Sequence, residues 1–316
     1  MTGETLLGIV YAAVLLLMMA VDLGVFNRRA HEIRIQEALI WTIVWTVVAL
    51  LFNVAVFLEL GAERGLEFFT AYVIERALSF DNLFVFVLIF TYFGVPTQYH
   101  HRVLFWGVLG ALVTRSIFIL AGIALIVRFS WILYILGAIL IYSGWKMLKG
   151  ESIEVHPDRN LVIRLARRVF PVVSEYGSGQ FVVRKNGILF LTPILLVLLT
   201  IETTDVVFAV DSVPAVFGVT RDAFIAFSSN IFAILGLRAS YFLLEAFLRE
   251  FKYLNHGLSA VLILIGLEML AGDFVRVPIG VSLAVVMTIL IVAVLASVVV
   301  ERRDRSVKEP SQRDSS

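Results

Sequence analysis

The chain has 316 residues, of which 60% are apolar, and its mean hydropathy is +0.93. Soluble domains are nearer to half apolar, so this composition places the chain in a membrane. The formal net charge of +1 gives no reason to expect nucleic acid as a partner, and the absence of cysteine excludes disulfides, thiolate metal sites and cysteine nucleophiles.

Segments of about 20 apolar residues are long enough to cross the hydrocarbon core of a bilayer. In chain order they are predicted at 5–26, 38–60, 67–93, 102–127, 129–147, 188–217, 221–247, 257–272 and 278–300. The sequence therefore predicts an all-α, polytopic membrane helical bundle of about nine transmembrane helices. Pro193 and Pro214 lie near the two ends of the sixth span, where a break in the helix would be tolerated.

Basic residues indicate the orientation of these spans, because Lys and Arg accumulate in cytoplasmic loops. On one side of the predicted arrangement they occur in every connection, most densely in the segment 146–185 and in the tail after residue 300. The connections on the other side carry only Arg64, Arg128, Arg221 and Arg276. The sequence therefore predicts an N-terminus outside the cell and a C-terminus in the cytoplasm.

The polar segment 148–187 divides the spans into two groups and falls on the cytoplasmic side. Its residues 161–169 combine apolar side chains with arginines at helical spacing. Such a pattern favours a basic amphipathic helix on anionic lipid, with a solvated connector as the alternative. The predicted domains are two N-terminal transmembrane helices in 1–66, a first three-helix repeat in 67–147, the loop in 148–187, a second, inverted repeat in 188–272, a last transmembrane helix in 273–300 and a disordered cytoplasmic tail in 301–316.

The predicted repeat depends on three landmarks that recur at nearly the same intervals. They are Asp81, Arg115 and Gly144 before the loop and Asp205, Arg238 and Gly266 after it. Each unit holds three spans, an odd number, so the second copy enters the membrane from the opposite face. Inverted repeats with a substrate site at the midplane are an architecture of secondary transporters.

Polar side chains lie within the third and sixth spans, where one ionised group costs about 2.5–3.5 kcal/mol. Such residues need a function or a partner. The candidate metal ligands are Glu75, Ser79, Asp81, Asn82, Glu202, Thr203, Asp205, Asp211 and Ser212. Asp81 and Asp205 fall near the centres of their spans, so both are predicted at mid-bilayer.

The direction of Asp211 depends on the shape of the sixth span. In one continuous helix it points nearly opposite to Glu202. Either the helix is broken there, or Asp211 serves a second site or a proton path.

Arginines also lie within the spans, and they are expected to pair with the acids: Arg76, Arg115 and Arg238. The acids of the spans outnumber these arginines by two. If all of them are ionised, two positive charges are lacking, and one divalent cation would supply them. Carboxylate, amide and hydroxyl ligands suit Mn²⁺, Mg²⁺ or Ca²⁺ better than Cu⁺ or Zn²⁺. The same oxygens could take up protons as the metal leaves, which would couple transport to H⁺.

Four longer motifs of the chain resemble the TerC/Alx family of integral membrane proteins, in its Alx-like branch. They are ERALSFDNLFVF at 75–86, FVVRKNG at 181–187, ETTDVVFAVDSVPA at 202–215 and SNIFAILGLR at 229–238. The resemblance covers nearly the whole chain apart from the tail. It implies a manganese exporter of the inner membrane.

The same resemblance implies which residues carry the site. The family's acidic positions fall on Glu75, Asp81, Asn82, Glu202, Asp205 and Asp211. Some members carry Leu-Ser at positions 203–204, so the Thr203 hydroxyl is a less secure ligand than the acids.

Export of Mn²⁺ as a transported substrate, with no cofactor, is the leading hypothesis. One alternative changes the cargo to Ca²⁺ or to proton/cation exchange for pH homeostasis. Another is a membrane assembly scaffold without transport. An enzyme is not expected, because the chain has no His-Glu zinc helix and no Gly-x-Ser-x-Gly elbow. The sequence does not indicate an oligomeric state.

Overall fold

The computed structural model describes residues 35–149, 160–173, 176, 179–185, 187–247, 253–272, 274–275 and 277–308, together with Gly8, Tyr11, Ala13, Val14 and Leu17. Apart from those five positions, the predicted first span at 5–26 lies outside the described residues. The side chain of Asp81 also lies outside them, although its backbone belongs to a helix.

The described part of the chain consists of helices and one small β-hairpin. The elements are α1 (Ile35–Leu60), α2 (Ala62–Phe93), α3 (Thr97–Arg128), α4 (Ile132–Leu148), α5 (Leu161–Val169), β1 (Val182–Lys185), β2 (Ile188–Leu191), α6 (Pro193–Val219), α7 (Ala223–Leu235), α8 (Leu237–Phe247), α9 (Leu254–Ala271) and α10 (Ile279–Lys308). The predicted all-α class is confirmed.

Many of these helices are long and apolar enough to cross a membrane. Among the described residues, α1, α3, α6, α9 and the 279–300 part of α10 satisfy this by length and composition, and α7 with α8 would form one further span. α2 has 32 residues, more than the about 20 that a crossing needs, and α4 is a shorter apolar helix of 17. The count of nine and the inverted repeat stay predictions.

The outer surface of the bundle is apolar. Leu58 on α1, Val127 on α3 and Val299 on α10 are among many large hydrophobic side chains that are exposed. Water would solvate such a surface poorly, whereas lipid solvates it well. The chain is therefore a multi-pass helical membrane protein.

Four helices, α2, α3, α6 and α7, form the centre of the bundle. α2 packs against both α6 and α7, and α3 packs against the same two helices. α1 covers the outer side of α2, so the middle of α2 is shielded on several sides. The polar residues that the sequence places in the third and sixth spans therefore lie on central helices.

α4 and α9 form a closely packed pair beside this centre. A Cβ atom at Gly137 would lie 3.0 Å from the carbonyl oxygen of Gly266, and one at Gly144 would lie 2.8 Å from the carbonyl oxygen of Ser259. Glycine lets two membrane helices approach to backbone contact, which favours van der Waals packing where no hydrophobic force acts.

The position of the helix break differs from the prediction. α6 runs without interruption from Pro193 to Val219, with Pro214 inside it. Pro193 stands at the first turn, where its missing N–H leaves no hydrogen bond unmade. The break lies instead in the predicted seventh span, where α7 and α8 meet at Gly236 and bend by 41°.

The segment 148–187 and the residues that follow it contain both a helix and the hairpin. Asn160 caps α5 by accepting hydrogen bonds from the amides of Val162 and Ile163. Ile163 packs beneath the helix, while Leu161 and Leu165 on its other face are 73% and 63% exposed. The helical part of the amphipathic prediction is confirmed, and its contact with lipid stays a prediction. At the other end of the chain, α10 continues past residue 300 to Lys308.

Candidate cation site

Two acids and one arginine meet in the centre of the bundle. Glu75 on α2 forms an ion pair with the Nη1 atom of Arg115 on α3. The Nη2 atom of Arg115 donates a hydrogen bond of 3.2 Å to Oδ1 of Asp205 on α6. All three side chains are at most 2% exposed. The structure thus brings together three of the residues that the sequence selected.

The electrostatics of this group are unbalanced. When ionised, the two carboxylates carry two negative charges against one positive charge on Arg115. Removing charged groups from water costs several kcal/mol per ion unless partners compensate it. The group therefore favours a further positive charge close to Glu75 and Asp205.

Several oxygen atoms of the site have no hydrogen-bond partner. They are Oε2 of Glu75, Oδ2 of Asp205 and the hydroxyl of Ser79, all of them buried. The buried hydroxyl of Ser212 also lacks a partner, but it lies seven residues beyond Asp205, about 10 Å along α6. A buried polar atom left without a partner costs about 1–3 kcal/mol, and an ion or a water molecule is a common explanation. Carboxylate and hydroxyl oxygens are ligands that hard cations accept.

Glu202 lies close to this group, one turn before Asp205 on α6. Its carboxylate rests directly against the backbone of Gly110 on α3, in the space that any side chain there would fill. A third acid is thus held in the cleft between α3 and α6. Sequence analysis missed Gly110, although a glycine inside an apolar span is a signal of close approach.

Thr203 is occupied by hydrogen bonds. Its hydroxyl donates within α6 toward the carbonyl oxygens of Leu199 and Thr200, at 2.8 and 3.0 Å. It also accepts a bond of 2.6 Å from the Nδ2 atom of Asn160, the residue that caps α5. These bonds leave Thr203 little capacity as a ligand, and they connect the start of α5 to α6.

Asp211 lies apart from the central group. It is six residues beyond Asp205, about 9 Å along a continuous helix and on another face. Its Oδ1 atom accepts a hydrogen bond of 2.6 Å from the hydroxyl of Ser143 on α4. The alternative of a broken sixth helix is wrong, because α6 is continuous.

Arg76 has contacts other than the predicted acid. Its Nη1 atom donates to the carbonyl oxygen of Ala233, at 3.0 Å, and its Nη2 atom to the hydroxyl of Ser240, at 2.7 Å. These partners stand on either side of the break at Gly236, and a Cβ atom there would collide with the guanidinium. Cations are favoured where a helix ends and its carbonyls lack partners. Arg76 therefore stabilises the bend.

The remaining candidates are placed less completely. Asn82 on α2 and Arg238 near the start of α8 are both 3% exposed. Asp81 precedes Asn82 on α2, and its side chain lies outside the described residues. In the part of the chain that the structure describes, no three Asp, Glu or His side chains lie together as a metal site. Coordination there would need neutral oxygens beside the acids.

Exposed apolar helices around buried, partly unsatisfied acids define an integral membrane protein with a polar centre. The model of the "Integral membrane protein TerC family" matches residues 60–305. The chain belongs to this family, which confirms the resemblance seen in its motifs.

Named relatives cover nearly the whole chain. An "Uncharacterized membrane protein STKORF319" of Myxococcus xanthus is 45% identical over 292 residues, which is 92% of each chain. A "Putative membrane-bound redox modulator Alx" of Salmonella typhi is 43% identical, covering 97% of this chain and 98% of its own. The protein of that name in Escherichia coli K12 is 43% identical, covering 95% and 97%. No solved structure matches significantly.

Proposed function

We propose that this protein is a secondary transporter that exports a divalent cation through the site around Glu75 and Asp205. Mn²⁺ is the proposed cargo. One observation carries the proposal: both acids are buried against the single guanidinium of Arg115, and each keeps a buried oxygen without a hydrogen-bond partner. A cation supplies the missing charge and fills both oxygens.

The ligand chemistry supports a hard cation. The site offers carboxylate and hydroxyl oxygens, and the chain has no cysteine to supply a thiolate. Such a set favours Mn²⁺, Mg²⁺ and Ca²⁺ over Cu⁺. Manganese is preferred within this group because the motifs resemble a family of manganese exporters.

The Alx relatives are named for redox modulation, and thiol exchange does not provide a route to it here, since the chain has no cysteine. A carrier that changes the content of a transition metal acts on cellular redox chemistry through its cargo. This gives the proposed transport a connection to the relatives' name.

We place the protein in the inner membrane with its C-terminus in the cytoplasm, following the distribution of basic residues. Export against a gradient then draws on exchange with protons or on the membrane potential. Protons are suitable because the carboxylates that release the metal can take them up.

Transport into proteoliposomes tests the proposal. Purified wild-type protein should move Mn²⁺ across the bilayer. At Mn²⁺ concentrations well below saturation, Glu75→Gln or Asp205→Asn should slow this transport about tenfold or more, because each 1.4 kcal/mol of binding free energy that is lost lowers the affinity tenfold. Glu67→Gln is the matched control, because Glu67 lies two turns away on α2 and accepts a bond from Thr220.

Two results would contradict the proposal. One is wild-type vesicles that admit Mn²⁺ no faster than protein-free vesicles, and the other is full transport by both neutral variants. Competition with Ca²⁺ identifies the cargo: Ca²⁺ that moves as fast as Mn²⁺ would make the calcium alternative correct.

A further inference from the structure

Asn230 on α7 is a buried amide that the candidate site does not yet include. It is 0% exposed, and neither its Oδ1 nor its Nδ2 atom has a hydrogen-bond partner. Its neighbours Ser228 and Ser229 are equally buried, but their hydroxyls donate to carbonyl oxygens of their own helix. A buried amide with both ends unsatisfied is costly, so its retention calls for a ligand.

The helices around the site share one apolar cluster, which contains Ala71 of α2, Ile119 of α3, Ala209 of α6 and Ala226 of α7. The three members of the charged group lie one helical turn from these residues, four positions away on the same helix. They are Glu75, Arg115 and Asp205. The same step of four along α7 leads from Ala226 to Asn230. This step places Asn230 on the same face of α7 as Ala226, one turn further along.

The direction of α7 agrees with this placement. Arg64 of α2 pairs with Asp222 just before α7, and further along α2 Arg76 binds the carbonyl oxygen of Ala233. These two contacts show that α2 and α7 run parallel, in nearly constant register. Asn230 therefore lies within a turn of the level of Glu75.

We propose that Asn230 is a ligand of the cation site and supplies its amide oxygen to the transported ion. The inference rests on the proposed function and adds a residue to it. Amide oxygens are ordinary ligands of hard cations, and they add coordination without adding negative charge. This explains how two acids can hold an ion although three Asp, Glu or His side chains do not come together in the described part of the chain.

Binding of Mn²⁺ to the purified full chain in detergent, measured by titration calorimetry, tests the inference. Asn230→Ala should weaken binding about ten- to hundredfold, the range that changes around a metal site produce. Ser229→Ala should bind like the wild type, because that hydroxyl is satisfied within α7. Asn230→Asp keeps the shape and adds a charged oxygen, so it should bind at least as tightly as the wild type.

A second measurement separates a ligand from a residue that only supports the fold. Loss of one oxygen from the ion should change the ratio of Mn²⁺ to Ca²⁺ affinity in Asn230→Ala, whereas a general packing defect should weaken both ions equally. If Asn230→Ala aggregates on size exclusion, Asn230→Ser replaces it. A Mn²⁺ affinity of Asn230→Ser between those of the wild type and of Glu75→Gln supports the inference. A Mn²⁺ affinity equal to that of the wild type overturns it.

The failures of the two proposals are distinguishable. A wild-type protein that binds no Mn²⁺ overturns the proposed function. Wild-type binding together with an unchanged affinity in Asn230→Ala, or an unchanged Mn²⁺ to Ca²⁺ ratio, overturns the role of Asn230 alone.

Discussion

Arg115 compensates two buried carboxylates at once, because its guanidinium has donors pointing in two directions. The ordinary expectation for an arginine in a membrane helix is a pair with one acid. Here the two acids come from different helices, so Arg115 joins α2 and α6 through α3. Its contribution to the fold is therefore inseparable from the charge of the candidate site.

Removing Arg115 should destabilise the protein strongly. Arg115→Leu leaves Glu75 and Asp205 buried without a counter-charge, and such a loss costs about 3–5 kcal/mol. Arg115→Lys should lose less stability, because it keeps the positive charge. It should still be less stable than the wild type, because lysine cannot hold both acids with fixed geometry. The unfolding midpoint in detergent measures both. Equal midpoints for wild type and Arg115→Leu would show that the pairing carries no stability.

Gly110 should matter for function more than for stability. In Gly110→Ala the new Cβ atom occupies the place of the Glu202 carboxylate, which is the flexible end of its side chain and can turn away. We therefore expect slower Mn²⁺ transport by proteoliposomes with little change in thermal stability. Gly107→Ala is the control on the same helix, because its Cβ atom would meet only Ile201, at 3.1 Å. Transport that is equal in both variants would exclude a role for the position of Glu202.

At the scale of elements, the contact between α5 and α6 connects the segment 148–187 to the helix that carries Asp205. Asn160 performs two tasks: its Oδ1 atom caps α5 and its Nδ2 atom binds Thr203, two residues from Asp205. One side chain thus links the start of α5 to the part of α6 that carries Asp205.

Substitutions of Asn160 can separate these tasks. Asn160→Ala removes the cap and the bond to Thr203, and should destabilise α5 by about 1 kcal/mol. Asn160→Asp keeps the cap and removes only the donor to Thr203. Hydrogen exchange of residues 161–169 should rise in the first variant and stay near wild type in the second. Transport that falls in both variants would assign the functional effect to the link with Thr203, whereas unchanged transport in both would exclude that link from function.

The break between α7 and α8 is the second element-scale feature. Arg76 donates to a carbonyl of α7 and to a hydroxyl of α8, so one side chain of α2 satisfies the interruption from outside. The absence of a side chain at Gly236 leaves room for that guanidinium. Arg76, predicted as a partner for acids, therefore shapes the helix that begins with Leu237 and Arg238.

For the whole molecule, the orientation in the membrane is open to a direct test. The chain has no cysteine, so each single replacement introduces one thiol. Ser130→Cys, in the connection between α3 and α4, should react with a membrane-impermeant maleimide in intact cells. Gln180→Cys, in the segment predicted to be cytoplasmic, should react only after the membrane is opened. The reverse pattern would invert the predicted topology.

The sequence by itself determined the class of protein and the kind of residues in its centre. A run of about 20 apolar residues forms a membrane-spanning helix because of its own length and composition, whatever the rest of the chain does. The helices α1, α3, α6 and α9 therefore lie close to their predicted positions. Glu75 and Asp205 were also recognisable from local sequence. An acid inside an apolar span costs free energy, so its presence there indicates a partner or a function.

Only the tertiary structure decided which polar residues meet. Asp211 binds Ser143 of α4, Thr203 binds Asn160, and Arg76 binds the two helices at Gly236, each through a partner far away in the chain. Pro214 favoured a break in the sixth span because proline lacks an N–H. The break lies instead at Gly236, where Arg76 donates hydrogen bonds to groups on both sides of it. Backbone groups in a bilayer must find partners, and the position of such partners follows from the packing of the helices rather than from local sequence.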